Sequence, residues 1–268
     1  MGNPLDQMAK VTSRTRPVAS AVPGTVRATP PSGDLLRYYE AMATALGPMR
    51  WWPAQTPFEV IVGAILTQST AWGNVERAIA NLRAARLLTP SAILRVRTQR
   101  LAVLVRPSGY FRQKAKKLKA FVRFLQTGYG GSLKRMFRTP TLELREKLLA
   151  VHGIGPETAD SILLYAGNHP VFVVDAYTHR IFVRHGITEG KADYEKVRAF
   201  IESSIPLRPK LFNEFHALIV NTGKNWCRKK APRCEECPLR PFLPENSPLS
   251  EVSEISPEGV ASLVGSLS

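Results

Sequence analysis

The chain has 268 residues, room for one sizeable domain or two small ones, and an ordinary hydrophobic share of 44%. Its formal charge of +16 is far from ordinary and points to a polyanionic partner. No apolar run is long enough to span a bilayer, no segment combines a large apolar face with a basic one and no secretory core stands near Met1, so neither a membrane partner nor export is expected.

Residues 1–31 carry Pro, Ser, Thr, Gly and scattered cations without periodicity, and read as a disordered basic tail. From Asp34 the segment DLLRYYEAMATAL has helical spacing, and the Trp51-Trp52 pair after it reads as packing. Thr56-Pro57-Phe58-Glu59 predicts a helix start, with a capping hydroxyl, Pro in the first turn and Glu three residues after the cap. The helix that follows, FEVIVGAILTQ, is apolar nearly all round and belongs at the centre of a helical domain. It runs into the polar cluster Thr67-Gln68-Ser69-Thr70, where Gln68 is either a cap or a probe at the surface. Asn74–Arg86 and Pro90–Val105 predict further amphipathic helices. After the turn from Arg106 to Phe111, RQKAKKLKAFVRFLQ sets Ala115, Leu118, Val122 and Leu125 on one stripe. Arg112, Lys114, Lys116, Lys117, Lys119 and Arg123 fall around that stripe. Such a face is commonly just solvated; with no acid nearby, phosphate contact through Lys114, Lys116 and Lys117 is the expectation.

Thr139-Pro140 starts a helix that ends near Val151. The turn His152-Gly153-Ile154-Gly155 then leads into a second helix, from Pro156 to about Ala166. Gly153 and Gly155 permit conformations closed to other residues and a close approach to another surface, and the free N–H groups of the second helix suit a phosphate oxygen. The apolar run VFVV ends in Asp175, which is either a reagent at the edge of the buried core or a helix N-cap. Helices continue over roughly 175–186, 191–205 and 208–222. No strand-like alternation is sustained, so the fold class is all-α. All three cysteines lie together as Cys227-x6-Cys234-x2-Cys237, which argues against a disulfide framework and for a reducing compartment with a local metal or cluster site. From Pro244 the chain turns acidic and Ser/Pro-rich and reads as a second disordered tail.

These motifs in this order resemble the helix-hairpin-helix–Gly-Pro-Asp superfamily of DNA glycosylases, the endonuclease III group, over about residues 34–243. The resemblance implies a two-domain fold. A six-helix domain with the hairpin would span 56–169, and a discontinuous helical domain ending in a cysteine loop would take 32–55 and 170–243. It implies that Gln68 enters the DNA stack where a base has been extruded. It also implies that Gly153, Gly155 and Thr158 belong to the DNA-binding hairpin, and that Asn168-His169-Pro170 leads to the catalytic aspartate, Asp175. Family members that also cut the strand carry Lys in the hairpin motif GxGxKTA, and that amine attacks the sugar C1′. Here the motif is Gly153-Ile154-Gly155-Pro156-Glu157-Thr158-Ala159, and the carboxylate of Glu157 cannot form an imine. Asp175 and Glu157 are therefore the candidate catalytic residues of a hydrolytic glycosylase. WWPAQTPFEVIVGAILTQSTAWGNVE, RPSGYFRQKAK and GIGPETADSILLYA look most like the 3-methyladenine glycosylase branch.

The implied partner is double-stranded DNA carrying damaged bases, met by a monomer in the cytoplasm at the nucleoid, and the implied substrates are alkylated purines. Two other readings stay open: a glycosylase with lyase activity on oxidised pyrimidines, and a non-catalytic binder of DNA structure. The family's cluster loop is Cys-x6-Cys-x2-Cys-x5-Cys around a [4Fe–4S] centre. Cys227, Cys234 and Cys237 match its first three ligands, and Leu243 stands in the place of the fourth. A cluster with another fourth ligand, a zinc site completed by a residue such as His216, and a metal-free loop all fit that pattern. Arg228, Lys229, Lys230 and Arg233 give the loop a basic character suited to DNA.

Overall fold

In chain order the helices are α1 (Asp34–Leu46), α2 (Pro57–Leu66), α3 (Trp72–Ala84), α4 (Pro90–Arg95), α5 (Thr98–Leu104) and α6 (Phe111–Tyr129). They continue with α7 (Leu133–Met136), α8 (Thr141–Leu149), α9 (Pro156–Ser161), α10 (Ala176–Arg184), α11 (Tyr194–Ser204) and α12 (Pro209–Asn225). This is a computed structural model that describes residues 34–49, 54–190 and 192–244. The Trp51-Trp52 pair and both predicted tails lie outside the described residues. Among the described residues all regular structure is helical, and no helix is long and apolar enough to cross a membrane.

Helix α2 is the axis of the packing because its sequence leaves it no polar face. Every residue from Phe58 to Leu66 is buried. Its start is the one the sequence predicts, since the Thr56 side chain accepts from the Glu59 N–H at 3.2 Å and Pro57 occupies the first turn. The Glu59 carboxylate does not complete a capping box; it meets Arg83 of α3 at 2.6 Å and ties the two helices together. Around α2 pack α3, α6, α9 and a π-helical continuation of α9 over Ile162–Ala166. That continuation also touches α12, while α1 and α10 lie against α12.

The segment predicted as one helix over Pro90–Val105 is two, broken where Val96 turns to an extended ψ of 143°. The break leaves helical carbonyls without partners in a buried place. Lys119 of α6 supplies the donor, its Nζ reaching Leu94 O at 2.9 Å and also Val96 O.

Candidate active site and nucleic-acid interface

The hairpin forms as predicted, but its two glycines do different work. Gly153 sits at φ +81°, and a Cβ there would come within 2.4 Å of the Lys117 stem. Only glycine fits that conformation and that approach of the hairpin to α6. Gly155 has φ −94° and ψ 179°, an extended geometry any residue adopts, and a Cβ there would meet nothing within 4 Å. The freedom expected of Gly155 is thus not used.

Gln68, just past the end of α2, turns back onto this hairpin. Its Nε2 donates to Gly153 O at 3.0 Å and to Thr158 Oγ1 at 2.9 Å, and Lys117 Nζ donates to its Oε1 at 2.5 Å. Four of the predicted DNA-binding residues, Gln68, Gly153, Thr158 and Lys117, therefore form one hydrogen-bonded knot. Thr158 is buried within it. Lys116 is exposed on α6 beside the knot, with Arg112 and Arg123 exposed on the same helix.

Lys114 departs from its expected role. It is 1% exposed, and its Nζ donates to Leu66 O at 2.9 Å and Ser108 O at 2.5 Å. It closes the C-terminal end of α2, whose last carbonyls have no helical partner, and anchors the 106–110 turn to it. Burial first, then the charge of Lys117, brings its pKa down to about 8. The amphipathic pattern of α6 cannot show this, because both acceptors lie on other elements.

The turn anchored by Lys114 carries a residue the sequence reading passed over. Tyr110 is 67% exposed and held at φ +42°, ψ 33°, in the left-handed region costly for a bulky side chain. Its turn is tied to the end of α2, two residues before Gln68, by the buried Lys114 ammonium.

Asp175 proves to be a helix N-cap and a recessed carboxylate at once. Its Oδ1 accepts from Tyr177 N at 3.0 Å, Thr178 N at 2.8 Å and Thr178 Oγ1 at 3.0 Å, in a capping box at the start of α10. Its Oδ2 points elsewhere, to His216 Nε2 of α12 at 3.6 Å, too long for a hydrogen bond but close for a charge. The Asp175 side chain keeps 13% of its surface, so a small reactant can reach it. Burial alone would push its pKa up; the His216 charge and the Thr178 hydrogen bonds outweigh that and hold it below the usual carboxylate value. His216 is fixed from behind by Tyr165 Oη on Nδ1 at 2.5 Å. It serves the carboxylate, which removes it as a candidate ligand for the cysteine loop.

Glu157, at the start of α9, is close enough to Asp175 and His216 to feel the charges of both. Its pKa is raised to about 7, by desolvation first and then by the charge of Asp175, against a smaller opposing effect of His216. The residue itself is exposed at the surface. The two carboxyls are thus driven apart, one ionised and one poised near neutrality. Beneath them Asp160 of α9 takes a two-pronged ion pair from Arg145 at 2.7 and 3.1 Å and a hydrogen bond from Tyr194 at 2.8 Å. Tyr194 Oη also lies 3.5 Å from Val174 N, so one buried network braces both the hairpin helix and the segment that ends in Asp175. Asn168, in the loop between them, adopts φ +55°.

The cysteine loop is roped to α10 by two arginines. Arg180 Nε donates to Cys227 O at 2.6 Å, and Arg184 reaches Arg228 O at 2.7 Å and Cys227 Sγ at 3.3 Å. Cys227, Cys234 and Cys237 line one cavity together with Arg184, His185 and Leu243. Among the described residues no three donors converge on a single ion. Burial pushes the Cys237 thiol up to about 11 and raises Cys234, and a cationic centre is what would draw such thiols to thiolates. Arg228, Lys229 and Lys230 are exposed, whereas Arg233 is paired with Glu236.

The profile of the HhH-GPD superfamily of base excision DNA repair proteins matches residues 62–207. A Methanocaldococcus jannaschii protein named for DNA repair glycosylase activity is 46% identical over 210 residues, covering 78% of this chain and 94% of that one. Endonuclease III of Thermotoga maritima is 30% identical, with 69% of this chain and 81% of that one covered. Among solved structures, H. pylori 3-methyladenine DNA glycosylase bound to 1,N6-ethenoadenine aligns with a TM-score of 0.63 at 30% identity over 72% of this chain and 97% of its own. An endonuclease III–DNA complex aligns with a TM-score of 0.69 at 21% identity over 81% and 97% of the two chains, which shows the fold alone. The hairpin, the recessed aspartate and these relationships together show that the chain belongs to the HhH-GPD superfamily of base excision DNA repair proteins, among its endonuclease III-like DNA glycosylases.

Proposed function

We propose that the protein is a monofunctional glycosylase that flips an alkylated purine, 3-methyladenine being the type substrate, out of duplex DNA and hydrolyses its N-glycosidic bond. The observation that carries this reading is the pairing of Glu157, where an imine-forming amine would stand, with an ionised Asp175 in one recess. The likeness to the H. pylori 3-methyladenine DNA glycosylase supports the substrate class.

The DNA would lie across the hairpin and the exposed face of α6, where Lys116, Arg112 and Arg123 meet phosphates without reading sequence. Extruding a base leaves an unstacked gap. Gln68, released from its knot on the hairpin, and Tyr110 on its braced turn are the two groups on that edge able to fill it. The extruded nucleotide enters the recess between α9 and α10. There the Asp175 carboxylate stabilises the positive charge that grows on the sugar as the C1′–N bond breaks. An alkylated purine is already cationic, so it departs with the bonding electron pair as a neutral base and needs no acid. Water adds to C1′ and gives its proton to Glu157, whose pKa near 7 suits a general base at neutral pH. No amine takes part, so the strand stays intact.

The family implies an iron–sulfur centre at the cysteine loop, and the cavity between Cys227, Cys234 and Cys237 has the donors for it. Such a centre would tie the end of α12, through Cys227, to the loop at Cys234 and Cys237, and hold the basic Arg228–Lys230 segment between them in place.

The test is a duplex holding one alkylated purine. Base release with an uncut strand, and no covalent trapping on abasic DNA by borohydride, is the expected result. Nicking with strong trapping would favour a glycosylase/lyase, and binding without base release would leave only a structural binder.

A further inference from the structure

The described residues hold a donor that the cysteine spacing does not reveal. His185 follows the last residue of α10, distant in sequence from the loop, yet its side chain lines the same cavity as Cys227, Cys234, Cys237 and Leu243. Its ring is held in one orientation. Nδ1 lies 3.3 Å from the carbonyl oxygen of Phe242 and 3.1 Å from Tyr38 Oη, and the Tyr38 ring packs edge-on against it. In the tautomer that donates from Nδ1 to that carbonyl, Nε2 carries the lone pair. No described residue hydrogen-bonds to Nε2.

This is the arrangement that orients an imidazole toward a metal: one nitrogen donating to a backbone carbonyl, the other open. The carbonyl in question belongs to the residue immediately before Leu243, the position where the family's fourth cysteine would stand. His185 is thus tied to the vacated corner of the site itself. We propose that His185, through Nε2, replaces the missing thiolate, so that Cys227, Cys234, Cys237 and His185 together ligate a [4Fe–4S] cluster. Imidazole in place of thiolate makes the site one negative charge less anionic and raises its potential, the direction in which histidine ligation moves iron–sulfur centres.

The experiment uses the full chain, reconstituted anaerobically with ferrous iron and sulfide, and reads iron and labile sulfide per chain. Pulsed electron paramagnetic resonance on the cluster reduced by one electron with a low-potential reductant, which makes it paramagnetic, then asks whether a nitrogen is bound to it. The wild type should hold four irons and four sulfides and show a strongly coupled nitrogen. His185→Asn, whose amide can still donate to Phe242 O and spare the fold, should lose that coupling and lose one iron on exposure to air. Leu243→Cys in the His185→Asn background should restore the fourth iron without the nitrogen signal. A wild-type cluster with no coupled nitrogen, unchanged in His185→Asn, would overturn the assignment. Negligible iron in both the wild type and Leu243→Cys, or uptake of a single zinc in place of iron, would overturn it too.

Discussion

Asp175 caps α10 with one oxygen and faces the recess with the other, and a single substitution can take these functions apart. In Asp175→Asn the carboxamide oxygen can still accept from Tyr177 N, Thr178 N and Thr178 Oγ1, the three bonds now made by Oδ1. Asn caps helices about as well as Asp. What the fold loses is the charge at the helix N-terminus, about 0.3–1 kcal/mol. The pKa of Asp175 is depressed in the folded state, so this contribution is present at neutral pH and disappears only on acidification through the carboxylate range. The reaction loses far more. A preorganised charge aimed at a developing opposite charge is typically worth about 2.7–4 kcal/mol, or about 10²–10³-fold in rate. Asp175→Ala removes the charge and the cap together and should cost about 1 kcal/mol of further stability.

Single-turnover base release and thermal unfolding, measured on both variants, give the answer. The expected outcome is an Asn variant near wild-type stability with base release down about 10²–10³-fold, and an Ala variant equally slow but less stable. An Asn variant within a few-fold of wild type in rate would show that Asp175 is a cap and nothing else. So would a rate loss that follows the folded fraction across the two variants.

Lys114→Met leaves two buried carbonyls, Leu66 O and Ser108 O, without a donor. It should destabilise by about 2–4 kcal/mol in chemical denaturation, yet leave the salt dependence of DNA binding unchanged. Lys116→Ala should do the reverse, lowering the slope of log affinity against log salt by about 0.9 at unchanged stability. Glu157 has a pKa raised in the folded state to about 7, so the folded chain holds a proton between the usual carboxylate value and 7 that the unfolded chain has lost. Stability should therefore fall as pH rises through that window, and Glu157→Gln should flatten the fall and remove the limb near pH 7 from the base-release profile. Gly153→Ala, at φ +81° and against the Lys117 stem, should lower both stability and DNA affinity, while Gly155→Ala should fold normally. Comparable melting temperatures for the two glycine variants would count against the close packing of the hairpin on α6.

What could be read from the residues alone follows from how far each interaction reaches along the chain. The start of α2 was legible because Thr56, Pro57 and Glu59 act within one turn, and the hairpin because a tight turn needs its glycine where the backbone turns. Asp175 was legible as a cap, which its Oδ1 makes, while its Oδ2 lies toward His216. The side chains that were misread or missed answer to distant parts of the chain. A lysine on a basic helix looks like a phosphate ligand until Leu66 O, 48 residues away, is seen to take its ammonium. Nor does the local pattern at Gln68 show that its amide is held by Gly153 O, 85 residues on. His216 reaches Asp175 and His185 reaches the carbonyl before Leu243 only because α10 and α12 pack together. Hydrophobic period and turn chemistry are local and strong enough to set the helices. The polar groups they leave over are satisfied by whatever the packing brings near. Since an unsatisfied buried donor or acceptor costs about 1–3 kcal/mol, the packing decides which of them become structural. His185 and Asp175 are two side chains that the packing fixes by one polar atom and leaves with a second that makes no hydrogen bond.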